Sequence, residues 1–137
     1  MYDHFQLSDK AFEQQFASLQ LNPALFSHEA HLRLAWIHVT RYGIDQAIEN
    51  VTNQIKAFAE HHGAHGKYHT TVTIAAVRAV YHFVIKSDSA NFKDFITEFP
   101  QLKNEFTKLL ASHYSTDIFK STAARESFLE PDLAPFD

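Results

Sequence analysis

A chain with three glycines and four prolines spread over 137 residues has few places where it can turn sharply. A sheet built from many short strands needs such turns, so the scarcity favours helices joined by short connections. Apolar spacing points the same way. Phe12, Phe16 and Leu19 recur at helical intervals in a segment from Leu7 to Leu19 that Ser8 can cap. After a break at Pro23, Ser27 can cap a second helix that runs to Tyr42, with Gly43 placed to end it in a left-handed turn. Apolar residues lie nearly all round that helix, which predicts a central, buried position.

A third helix is expected from Ile44 to His62, stopped by Gly63, and the loop GAHGK follows. Thr70 or Tyr68 opens a fourth that reaches Ile85. Its β-branched run TVTIAAVRAVYHFVI suits a strand by propensity but is too long for one and does not alternate. Phe92–Phe99 forms a short helix, the stripe Leu102, Phe106, Leu109, Leu110 and His113 forms another, and Ser121 caps a last one, TAARESFL. The tail EPDLAPFD is expected to lie extended on the surface, with an Arg125–Asp132 ion pair to pin it. The length suits one core, and thirteen phenylalanines supply its bulk. The expected architecture is therefore all-α: a compact single-domain bundle of about six helices over residues 1–137.

Several function classes drop out. The net charge is −4, and the lysines and arginines form no basic run, so no nucleic-acid partner is expected. The absence of cysteine removes disulfides, thiolate metal sites and cysteine nucleophiles. No apolar run is long enough to suggest a membrane span, and the polar start MYDHFQLSDK lacks a signal-peptide core. A cytoplasmic protein with no membrane partner is the expectation. Neither a phosphate-binding glycine loop nor a G-x-S-x-G elbow is present. His28-Glu29-Ala30-His31 misses H-E-x-x-H by one position, so zincin chemistry does not follow, and no adjacent His-Asp pair suggests a phosphohydrolase.

The stretches FSHEAHLRLAW, KYHTTVT and AARESFLEPDL together resemble a family of small bacterial proteins of about this length. The resemblance implies a bacterial, cytoplasmic, stand-alone domain. It carries over no substrate, reaction or cofactor.

What remains is an unusual count of ten histidines, most of them between positions 28 and 82. On a helical wheel His28 and His31 share a face with Leu32, Ala35 and Val39. Residues three apart are surface neighbours on a helix, so the two imidazoles can reach one ion or clasp one ligand. His69, read as part of the fourth helix, shares a face with Thr73, Ala76 and Val80. If the second and fourth helices pack together, His28, His31 and His69 converge.

Three nitrogen ligands with an open position are the pattern of a catalytic metal site. Zinc, iron, manganese and nickel all suit imidazole. Helix starts favour neutral imidazole and leave N–H groups free for an anion, so Lys67 and the first turns suggest a small, anionic ligand. Trp36, Tyr68 and Thr73 are the other candidate substrate contacts. Two alternatives stay open: a metal-free polar pocket that uses the histidines as acid, base or ligand contacts, and core-edge histidines satisfied by Thr, Tyr or backbone partners. A binding module without turnover, or a bundle that self-associates through its phenylalanines, would follow from these. His38 is expected to bond a neighbouring helix, His113 to make a structural hydrogen bond, and His61 and His65 to sit in exposed loop.

Overall fold

Side-chain caps mark where several of the helices begin. In a computed structural model describing residues 3–136, apart from the His65 side chain, Ser8 Oγ accepts from the Ala11 N–H at 3.1 Å, and Ser27 Oγ accepts from Ala30 at 3.2 Å. Asn91 and Ser121 do the same for Asp94 and Ala124. The resulting helices are α1 (Asp9–Ala17), α2 (His28–Tyr42), α3 (Ile44–His61), α4 (Thr70–Val84), α5 (Phe92–Glu98), α6 (Gln101–Asn104), α7 (Phe106–Ala111) and α8 (Thr122–Glu126). Short 3₁₀ turns lie at His4–Gln6, Pro23–Leu25 and His65–Lys67. Among the described residues there is no strand, and no helix is long and apolar enough to cross a membrane. The all-α single-bundle expectation holds. Among the described residues the helices number eight, because the second half is cut into short pieces.

α2 is the central element. It packs against α3 and α4 and also touches α1, α5 and α6. Its unbroken buried run from Leu32 to Val39 explains the apolar residues on every side. α4 is sandwiched too. Val77, Ala79 and Val80 belong to the main core with Phe12, Phe16, Leu34 and Phe95. Ala75 faces a second, smaller cluster of Leu110, Tyr114, Ile118, Ala124 and Phe136, edged by Val72 and Phe106.

Several local expectations are corrected. Gly43 does not adopt the left-handed helical conformation. At φ 84°, ψ 169° it lies in the mirror-extended region that only glycine enters easily, and this lets α3 start immediately after α2. Nothing lies within 4 Å of the position a Cβ would take there, so any cost is backbone strain rather than a clash. Gly43→Ala is expected to destabilise the fold by about 1–3 kcal/mol, measured by chemical denaturation, with the native helical spectrum unchanged.

The single stripe expected from Leu102 to His113 is broken at Glu105 (φ −133°, ψ 32°) into α6 and α7. The break leaves carbonyls at the end of α6 without intrahelical partners, and the Leu102 carbonyl is taken by a histidine of α2.

The tail is also more firmly held than an extended surface strand would be. Phe136 is buried, the Leu133 N–H donates to the His113 carbonyl at 3.0 Å, and Asp132 bonds the Ser115 hydroxyl and N–H rather than Arg125.

Candidate functional site

The cap at Ser27 starts α2 on His28 and so places His28 and His31 one turn apart. The His28 Nε2–H donates to the Leu102 carbonyl at 3.1 Å, and the ring tilts over Phe106 with centroids 4.9 Å apart. His31 sets its ring edge-on to Phe26 at 4.4 Å. Its Nε2 is shut off from solvent and has no hydrogen-bond partner among the described residues. Burial pushes the His31 imidazole down to about 4, and the neighbouring His28 adds to the fall. The charged form would leave water without gaining a counter-ion, so His31 is neutral throughout the physiological range.

The two histidines border a small chamber at the seam between the two core clusters. Its walls are Leu32 and Ala35 of α2, Val51 and Ile55 of α3, Val72, Thr73, Ala76 and Val77 of α4, and Phe106 of α7. The chamber measures about 40 Å³, room for a water molecule or the tip of a ligand, since one water takes up about 30 Å³ of the liquid. His28, Val72 and Phe106 also line a wider surface groove of about 570 Å³, so these three side chains separate chamber from groove. The groove's two lysines already have carboxylate neighbours: Lys103 bonds Glu29 at 2.9 Å, and Lys108 lies 3.6 Å from Glu105.

Of the residues expected at a site, His28, His31 and Thr73 come together at this chamber. His69 has a different role from the one its wheel position suggested. It is not inside α4 but precedes it, in an extended conformation, as the N-cap. Its Nδ1 accepts from the Val72 N–H at 3.1 Å, which requires Nε2 to carry the proton, and Nε2–H donates to the Ile118 carbonyl at 2.7 Å. An imidazole thus stands in for the usual Ser or Asp cap, with both nitrogens occupied. Among the described residues no group of three or more His, Asp or Glu side chains is placed to hold a metal ion.

Thr73 bonds back to the His69 carbonyl at 2.7 Å. Trp36 is a core residue against Phe92 and Phe95. Tyr68 packs on the edge of the main core and Lys67 is exposed; neither lines the chamber. Because His69 serves two acceptor and donor roles, His69→Ala is expected to cost about 2–3 kcal/mol, the sum of a lost cap and an unpaired carbonyl. His69→Asn, which can still cap, should recover about 1 kcal/mol of that in denaturant titrations.

Two further histidines make bonds that tie elements together. His38 Nδ1 receives a bond from Asn50 of α3 at 3.3 Å, and His113 Nδ1 donates to the Ala134 carbonyl at 2.8 Å while stacking on Phe136. His61 is exposed, and the side chain of His65 lies outside the described residues.

One cluster was missed in the sequence. Arg33, buried in α2, donates to Asp9 at 2.8 Å and to the carbonyls of His4 at 2.6 Å and Leu7 at 2.8 Å, with Phe12 under its guanidinium. Glu29, one turn earlier, accepts from His4 Nε2–H at 2.8 Å and from Lys103. Burial alone would raise the Glu29 carboxyl, but the hydrogen bonds and charges of Lys103 and His4 outweigh it and lower it. The available signal was a Glu-x-x-x-Arg spacing on a largely buried helix. Its mate lies at the start of the chain, too distant in sequence for local patterns to reveal. The Glu29 and Arg33 of FSHEAHLRLAW thus pin the N-terminal turn.

Comparison with protein-family models, curated proteins and solved structures gave no significant match.

Proposed function

We propose that this protein binds a small molecule at the α2–α3–α4 chamber, with His31 Nε2 as the atom that recognises it. The observation that carries this reading is the unpaired, solvent-shielded Nε2 beside an apolar cavity. A buried polar atom left without a partner costs about 1–3 kcal/mol, a cost that a ligand bonded there would remove. His28 and Phe106, between chamber and groove, are the side chains a ligand would pass. Thr73 offers the remaining polar atom.

A divalent transition metal (Zn, Fe, Mn or Ni) remains a narrower form of the same proposal. With His69 occupied as a cap, it would have His28 and His31 as its protein nitrogens and would take its other ligands from water or substrate. A small-fragment screen by methyl-detected NMR tests the broader reading. Fragments that shift Val51, Ile55, Val72 and Val77 in the wild type and not in His31→Leu support it. Hits that avoid these residues, or that survive His31→Leu unchanged, contradict it. Elemental analysis of tag-free protein beside a folded His28→Ala/His31→Ala variant tests the metal form: about one equivalent lost in the variant would support it, and none in either, after incubation with each metal, would remove it.

A further inference from the structure

The chamber's lining also restricts what kind of group can enter, and the restriction rests on the reading of His31 just given. No lysine or arginine lines it; its polar side chains are His28, His31 and Thr73. The His28 Nε2–H is held by the Leu102 carbonyl, and the Thr73 hydroxyl proton points to the His69 carbonyl. A carboxylate or phosphate pushed between Val51, Ile55, Val72 and Val77 would be a buried charge with no counter-ion, and a buried charge without a partner is strongly disfavoured. The groove outside does not bring a cation into the chamber: Lys103 bonds Glu29, Lys108 is exposed, and neither lines the chamber. The anionic ligand suggested by helix starts and Lys67 is therefore disfavoured at this chamber.

A group without any polar atom would leave His31 Nε2 as unsatisfied as it is now. A neutral imidazole nitrogen is either a donor or an acceptor, according to the tautomer. A hydroxyl can serve as either, so it matches both states of the ring, and it can also give a bond to the Thr73 oxygen, whose own proton goes to the His69 carbonyl and whose lone pairs stay free. The volume of about 40 Å³ admits a hydroxyl with a carbon or two. The rest of such a molecule would lie past Phe106 in the groove, where Val72, Phe106 and Phe119 offer apolar surface. We propose that the ligand class of this site is an uncharged alcohol: a terminal hydroxyl seated on His31 Nε2, carried by a small apolar body that rests in the groove.

Three probes of similar size separate the possibilities: 1-butanol, butyrate and 1-chlorobutane, each titrated near neutral pH while the His31 ring nitrogens and the chamber methyls are followed by NMR. The expected result is that 1-butanol shifts both sets of signals with a dissociation constant at least about tenfold below those of the other two. His31→Leu should erase the alcohol's advantage over 1-chlorobutane. Ala76→Leu, which fills the chamber without altering a polar atom, should abolish binding of all three. Butyrate or 1-chlorobutane shifting His31 as strongly as the alcohol would overturn the ligand class and leave the site standing. If no probe moves the His31 ring, both the class and the site are wrong.

Discussion

Arg33→Ala is expected to lower the stability of the protein by about 3–5 kcal/mol, the range found when one partner of a buried ionic network is removed. The reason is what the substitution leaves behind. The Arg33 guanidinium satisfies the His4 and Leu7 carbonyls and the Asp9 carboxylate, and its Nη1 lies 3.3 Å from His4 Nδ1. His4 itself is buried, with Glu29 as its other hydrogen-bonded side chain among the described residues. Truncation strands these acceptors and empties the space over Phe12. For a domain of this size a loss of that order is a large share of total stability. Denaturant titration measures it. Proton exchange should show the protection of residues around His4–Gln6 and the start of α1 falling most. A loss below about 1 kcal/mol, the level of an exposed ion pair, would mean that the network is solvated in solution.

The second large effect is acid lability. The unfolded His31 imidazole takes up a proton near its ordinary value of 6.5, whereas in the folded protein it resists until about 4. Between those values the unfolded state binds more protons, so stability falls as the pH drops through the window and is fully present above it. Each unit costs up to about 1.4 kcal/mol, roughly 3 kcal/mol in all. The groups packed round His31 offer nothing to offset this. His28 is the one titratable neighbour at the chamber and acts in the same direction, while the walls from α3, α4 and α7 are apolar apart from the Thr73 hydroxyl. His38 is also lowered, chiefly by burial, and adds to the slope. Glu29, lowered from 4.5, contributes its own loss at still lower pH.

His31→Leu should flatten most of the slope between about pH 6.5 and 4 and leave the His38 and Glu29 contributions in place. At neutral pH the same substitution should be neutral or stabilising by up to about 1 kcal/mol, because an apolar side chain of similar size removes an unsatisfied atom. A residue whose replacement improves the fold and abolishes ligand binding is held at a functional position at the expense of stability.

Much of this was legible in the sequence because it depends on local chemistry. Ser8, Ser27 and Ser121 announce helix starts, and the all-round apolar pattern of α2 announces a central helix; α2 and α3 begin and end within a residue of where spacing and glycines put them. The pairing of His28 with His31 needs only helical geometry. What could not be read depends on contacts made across the chain. His69 looked helical because it shares a wheel face with Thr73, Ala76 and Val80, yet the Ile118 carbonyl, 49 residues later, holds its ring in the capping position. The break at Glu105 goes with a bond from His28, 74 residues earlier, to the Leu102 carbonyl. Arg33 is buried because His4 and Asp9 come to meet it.

The most direct test of the account is to follow the His31 ring nitrogens by long-range proton–nitrogen NMR across a pH titration of the intact protein. The account predicts a neutral ring at pH 7 that protonates only near 4 and whose Nε2 signal moves when 1-butanol is added. A ring that titrates near 6.5 and ignores the alcohol would show a solvated, satisfied histidine and would contradict the proposed site.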